Sequence, residues 1–214
     1  VQCTTAARRA DRGITSRCGS ADVLTALGVN VSPGPECVAD CIEQARIGFM
    51  FAPAFHPAMK HVQPIRKSLD FRTAFNILGP LANPARAEAQ VLGVAEEALM
   101  PRMIETLKTL GLKRAMVVHS NGLDEISTMG PTRLMHLEDG TIRSEDLDAS
   151  RYGIRMADYN ELAGADGVIN ARIIRAILSG SETGAKKDIV VLNAVAAIMV
   201  AGLDNDFVQN IEKA

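Results

Sequence analysis

Three groups of residues in this 214-residue chain have types and spacings suited to chemistry. The densest lies in the stretch 48–81, where an apolar run (Phe49, Met50, Phe51) leads into His56, Lys60, His61 and Arg66, followed by Lys67 and Arg72. Loops at the C-terminal ends of strands in α/β folds commonly hold ligands, and His56 and Lys60 share one face if the segment is helical. A basic, histidine-bearing face in that place suits an anionic small molecule. The plainer reading is a strand, a proline turn and an amphipathic helix whose cations are solvated. The second group is the adjacent pair Asp124 and Glu125, directly after the strand-like RAMVVH run. Hard carboxylate oxygens at a strand end are how Mg²⁺ is commonly held, with water and substrate phosphates completing its shell. The alternative is a turn with solvent-facing acids. The third is the run Gly13, Thr15, Ser16, Gly19, Ser20, a hydroxyl-rich loop opening a helix, where phosphate oxygens can accept backbone N–H bonds. Read by itself, that run is better explained as a plain helix start with Ser20 as N-cap.

The elements that must position these groups follow from periodicity and punctuation. A first helix is expected from Ser20, with Asp22 in its first turn, Val23, Leu24 and Leu27 apolar, and Gly28 at C′. Pro35 after Gly34 predicts a second helix over 35–45, leading into the Phe49 strand. A buried strand over 90–94, an amphipathic helix over 97–110 closed by Gly111 and a strand over 114–119 argue for an α/β layer with a parallel pair. Asp139-Gly140 separates runs 132–138 and 141–144 as an antiparallel hairpin. Residues 152–167 are poorly periodic, 170–178 is helical up to Gly180, Asp188 caps an apolar helix over 189–201, and Asp206 begins a last amphipathic segment.

Composition sets the outer bounds. With 47% hydrophobic and 22% charged residues the chain can bury a substantial core. A formal charge of −2 from 23 basic and 25 acidic side chains offers no global field for nucleic acid or anionic membrane, so an anion site must be local. The longest apolar run, 189–203, is interrupted by Asn193 and Gly202 and is too short to span a bilayer. A cytoplasmic location is expected. Cys3, Cys18, Cys37 and Cys41 show no CxxC pairing, which favours reduced thiols over zinc ligands or disulfides.

The motifs RGITSRCGSADVLTALGV, GFMFAPAFHPAMKHVQPIRKSL, RTAFNILGPLANPA, QVLGV, VVHSNGLDEIS and GPTR run in this order from residue 12 to residue 133. Together they resemble the anthranilate phosphoribosyltransferases, enzymes of tryptophan biosynthesis with a nucleoside-phosphorylase-like phosphoribosyltransferase fold. The resemblance implies a large α/β domain with a central, mostly parallel sheet, an antiparallel hairpin addition and flanking helices. It implies transfer of phosphoribosyl from phosphoribosyl pyrophosphate to the anthranilate nitrogen, with release of pyrophosphate assisted by Mg²⁺. Matched position by position, Arg66 falls on the arginine that contacts the anthranilate carboxylate, and His56 and Met59 on positions lining the anthranilate channel. Arg12, Thr15, Ser16 and Ser20 fall on the phosphoribosyl pyrophosphate loop. Asp124 and Glu125 fall on the acidic pair that holds Mg²⁺. No acid or base catalyst is implied, because the aromatic amine is already a nucleophile. The family writes Lys-His-Gly-Asn where this chain has Arg8, Arg9, Ala10 and Asp11, so Arg8 stands on the pyrophosphate side and Asp11 on the anthranilate side of that departure. An Asp there accepts hydrogen bonds but cannot donate.

The family also has an N-terminal helical domain that carries its homodimer contacts, and a GTGGD loop. Neither is written in these residues, and the last helix is short. The expectation is therefore one incomplete α/β domain over 1–214, with an atypical start at 1–19, a core at 20–214 and weakened activity. Two other readings stay open: a pyrimidine nucleoside phosphorylase-like enzyme of the same fold, and a non-catalytic module that binds an anion or nucleic acid.

Overall fold

The computed structural model describes residues 6–10 (backbone only), 18–55, 78–79, 81–83, 85–204 and 206–214. The chain divides into two compact units, Val1–Arg86 with Gly164–Ile174, and Ala87–Ala163 with Arg175–Ala214.

In the first unit, β1 (Ala6–Ala10) and β2 (Ile47–Phe51) pair in parallel with Arg8 opposite Phe49. Between them lie α1 (Ser20–Ala26) and α2 (Pro35–Ala45). Helix α2 has the bounds expected, with Gly34 at the N-cap and Pro35 at the first helical position, where the missing N–H costs nothing. It packs against β2 across Gly48, where an added Cβ would overlap the Ile42 side chain. A short helix, α3 (Ala52–Phe55), follows β2. The buried apolar residues described here are few and mostly small: Ala21, Val31, Val38, Met50, Ala52 and Ala171.

The second unit is built on a four-stranded sheet in the order β3-β4-β5-β6. Strands β3 (Ala89–Gly93) and β4 (Arg114–His119) are the expected parallel pair, joined by a 3₁₀ turn at Glu97–Leu99 and α4 (Met100–Thr109). Helix α4 buries Met100, Met103, Ile104 and Leu107, the i, i+3, i+4, i+7 stripe of an amphipathic helix. Strands β5 (Thr132–Glu138) and β6 (Thr141–Leu147) form the antiparallel hairpin on the Asp139-Gly140 turn. β6 runs to Leu147, three residues past the expected end, because its polar stretch takes ladder bonds from β5 although it buries little. The described strands thus fall into two sheets, and the larger is mixed.

Residues 152–167 are largely irregular, with α5 (Tyr159–Leu162) capped by Asp158, before α6 (Gly167–Leu178). The apolar helix is α7 (Ala185–Val200). Its N-cap is Gly184 and not Asp188, which lies in its first turn, so the helix starts a full turn earlier than its apolar run. Leu192, Val195, Ala196 and Val200 of α7 are buried, and Leu192, Ala196 and Val200 cluster with Met116, Val118, Ile126, Leu134, Leu147 and Ala149. Arg114 of β4 donates from Nε to the Val200 carbonyl at 3.0 Å and from Nη2 to the Ala201 carbonyl at 3.1 Å, so its charge sits at the negative end of α7. Asp206 caps α8 (Phe207–Lys213), as expected. No described helix is long and apolar enough to cross a membrane.

Candidate active site

The register of β3 on β4, from Ala89 opposite Arg114 to Gly93 opposite Val118, brings the C-terminal ends of both parallel strands to one edge. In open α/β sheets that edge is where ligands bind. The acidic pair sits there, and four local features fix its backbone.

The first is a two-residue reversal. Ser120 and Leu123 exchange backbone bonds of 3.0 and 2.7 Å across Asn121 (φ 45°) and Gly122 (φ 83°). Asn-Gly is the pair that a turn with two positive φ values favours. The second is His119, whose Nδ1 lies 2.8 Å from the Val94 carbonyl oxygen while Nε2 accepts the Gly122 N–H at 3.4 Å. The ring thereby ties the end of β3 to the turn after β4. The third is Gly93. An added Cβ would lie far inside van der Waals contact with the backbone carbonyl of Asp124, so only glycine lets the acidic loop fold onto β3.

The fourth is the segment after the acids. Ile126, 1% exposed, gives its N–H to Asn193 Oδ1 at 3.0 Å and receives Asn193 Nδ2 on its carbonyl at 2.8 Å. The Ser127 N–H donates to Thr132 Oγ1 at 3.2 Å, the Met129 N–H to Ser127 Oγ at 3.0 Å, and the Ala157 N–H to the Thr128 carbonyl at 3.1 Å. Gly130 stands so close to the Asn121 amide that a Cβ there would overlap it, and Ser120 Oγ donates to the Pro131 carbonyl at 3.2 Å. Asp124 and Glu125 themselves are exposed.

Two neighbouring carboxylates, presented outward from a backbone held on both sides, suit a hard divalent cation. The all-oxygen donor set of the two carboxylates fits that ion. No cluster of three or more His, Cys, Asp or Glu able to hold a metal occurs among the described residues, so water and ligand phosphates would complete the shell.

The sequence-predicted residues of the other two groups stand differently. Ser20 is the first residue of α1 and not its N-cap. Gly19 takes that place, and its N–H donates to the Asp22 carboxylate at 3.0 Å, the N3-to-N-cap half of a capping box. Arg8 lies in β1, where only the backbone is described. Asp11, Arg12, Thr15, Ser16, His56, Met59 and Arg66 lie outside the described residues. Of the three groups, the structure therefore places the acidic pair. Cys18, Cys37 and Cys41 carry no disulfide, and Cys37 and Cys41 are exposed.

Sequence reasoning missed Gly93, the Asn121-Gly122 reversal, Thr132 and Asn193. Asn-Gly was the one strong signal available, since it is the most specific short turn dipeptide.

The fold and this strand-end site define an α/β domain of the kind that binds ligands at the C-terminal ends of parallel strands. Residues 4–214 match the family model described as "Glycosyl transferase family, a/b domain", and the chain belongs to that family. It is 48% identical over 213 residues to the anthranilate phosphoribosyltransferase of Methanocorpusculum labreanum, an alignment covering 98% of this chain and 62% of that relative. Among solved structures it is similar to the anthranilate phosphoribosyltransferase of Thermus thermophilus, with a TM-score of 0.91 at 40% identity over 98% of this chain and 62% of that one. It is also similar to the Saccharomyces cerevisiae enzyme in complex with PRPP and Mg, with a TM-score of 0.89 at 26% identity over 98% of this chain and 59% of that one. The chain thus spans about 62% of the length of the curated relative it matches.

Proposed function

We propose that this chain carries the anthranilate phosphoribosyltransferase reaction, joining the anthranilate nitrogen to ribose C1 of phosphoribosyl pyrophosphate and releasing pyrophosphate. The observation that supports it most is the pinned Asp124-Glu125 loop at the C-terminal ends of β3 and β4. A Mg²⁺ ion held there would supply positive charge against the departing pyrophosphate. Asp124 and Glu125 would hold that ion. The loop that carries them is set before substrate arrives, so little reorganisation is needed when charge develops.

Arg66 is assigned the anthranilate carboxylate, a task suited to a planar fork of donors that stays charged at every working pH. His56 and Met59 line the anthranilate channel and Asp11 borders it. Arg8, Arg12, Thr15, Ser16 and Ser20 take the phosphoribosyl pyrophosphate. No side chain is assigned as general acid or base, and proximity and orientation supply the remainder of the acceleration. The reading also carries a cytoplasmic location and the homodimer of the resembling enzymes.

The test is incubation of the purified chain with anthranilate, phosphoribosyl pyrophosphate and Mg²⁺, following anthranilate consumption. Turnover that requires all three supports the reading. Phosphorolysis of thymidine or uridine in its place would move the assignment to a pyrimidine nucleoside phosphorylase-like enzyme. Salt-sensitive binding of single-stranded nucleic acid without turnover would move it to a binding module.

A further inference from the structure

Within α7 one polar side chain does something a buried apolar helix does not require. Asn193 interrupts the run Ile189, Val190, Val191, Leu192 and is followed by Ala194 and Val195. Its amide makes three hydrogen bonds: Nδ2 donates to the Ile189 carbonyl at 2.9 Å and to the Ile126 carbonyl at 2.8 Å, and Oδ1 accepts the Ile126 N–H at 3.0 Å. The bond to Ile189 fixes the side chain against its own helix. The other two grip both polar groups of one residue, as a partner strand would, and that residue directly follows Glu125.

We propose that Asn193 is a positioning residue for the acidic pair, holding Asp124 and Glu125 in register for a divalent cation. The proposal rests on the reading of those carboxylates as the cation site. The amide is the right group for the task, because only a side chain with donor and acceptor on one plane can satisfy a peptide N–H and C=O together. Its anchor is itself anchored. Arg114, in the strand that leads into the acidic loop, holds the carbonyls at the C-terminal end of the same helix. Helix α7 therefore grips β4 at one end and, through Asn193, the loop beyond β4. Asp in place of Asn193 would accept from Ile126 but could not donate to its carbonyl or to that of Ile189. Ser would be too short to span both groups. Outer partners of metal-holding groups are commonly worth a factor of 10–100 in metal affinity.

The experiment compares wild type, Asn193→Asp, Asn193→Ser and, as a control for lost stability, Met103→Ala, whose side chain is buried in α4 and is not part of the cluster that holds Ile126. Two quantities are read: amide hydrogen exchange in peptides spanning 120–128, and the Mn²⁺ dissociation constant by electron paramagnetic resonance with phosphoribosyl pyrophosphate present. The expected result is faster exchange in that segment and roughly tenfold weaker Mn²⁺ binding in both Asn193 variants, with neither change in Met103→Ala. If Asn193→Asp does not fold, Asn193→Ser carries the comparison. Wild-type exchange and Mn²⁺ affinity in a folded Asn193 variant would overturn the positioning role and leave the cation site standing. Absence of Mn²⁺ binding in the wild type would overturn both.

Discussion

The two units accommodate a close approach at a glycine by different means. In the first, α1 and α2 begin at ordinary caps, and the glycine that lets α2 approach β2, Gly48, faces the flexible Ile42 side chain. In the second, the corresponding close approach is backbone on backbone, Gly93 against the Asp124 carbonyl, and the loop concerned is tied down by His119, Thr132 and Asn193. A side-chain neighbour can change rotamer, whereas a pinned backbone can move only by breaking its bonds. The second unit is therefore organised around the geometry of one loop, and substitutions should act on its function as well as its stability.

Paired glycine substitutions break that comparison most directly. Gly93→Ala should displace the acidic loop and lower Mg²⁺-dependent turnover by about 100-fold, the scale expected when catalytic groups move by about an ångström. Gly48→Ala should cost turnover only a few-fold once Ile42 has shifted. Equal losses in the two kinetic assays would remove the distinction between the units.

The next effect concerns the core on which the loop rests. Leu192, one residue before Asn193 and fully buried, packs in the cluster with Met116, Val118 and Ile126. Leu192→Ala should cost about 2–5 kcal/mol in a urea unfolding titration, the usual range for a leucine truncation that leaves a cavity. Arg114→Met keeps much of the stem but leaves the Val200 and Ala201 carbonyls without the guanidinium. About 1–3 kcal/mol should be lost by the same titration.

The smallest expected effect is a pH dependence. His136 on β5 is 6% exposed, and burial followed by the Arg143 charge lowers its pKa, against the opposing pull of Glu145 and Glu138. Glu145 Oε1 lies 2.8 Å from its Nε2, and its upward pull is outweighed by burial and the Arg143 charge. A histidine with a lowered folded pKa binds fewer protons folded than unfolded. Its contribution is intact above the unfolded value of about 6.5 and declines as the pH falls from there toward the folded pKa. His136→Gln should flatten the acid side of the stability profile, measured as thermal midpoint against pH; an unchanged slope would place the titration elsewhere.

How much of this was legible in the sequence depended on whether a residue acts within its own element. Pro35 after Gly34 marked the start of α2, and four buried residues flanked by Arg114 and His119 marked β4, because local rules govern both. Gly19 against Ser20, and Gly184 against Asp188, show the limit of cap rules: a glycine N-cap leaves no side-chain signal to read. Asn193 read only as an interruption of an apolar run. Hydrophobic periodicity reports which face is buried and cannot report that a partly buried amide meets a backbone 67 residues away. Gly93 was invisible for the same reason, since its neighbour, Asp124, belongs to a different strand's loop. The place of the acidic pair, just past the end of β4, was legible because local rules mark where that strand stops.

The most direct measurement is a Mn²⁺ titration, followed by electron paramagnetic resonance in the presence of phosphoribosyl pyrophosphate, of wild type against the double variant Asp124→Asn, Glu125→Gln. The expected result is a saturable site in the wild type that the double variant weakens by at least about tenfold. Equal Mn²⁺ binding by the two proteins would contradict the assignment of the strand-end carboxylates as the cation site.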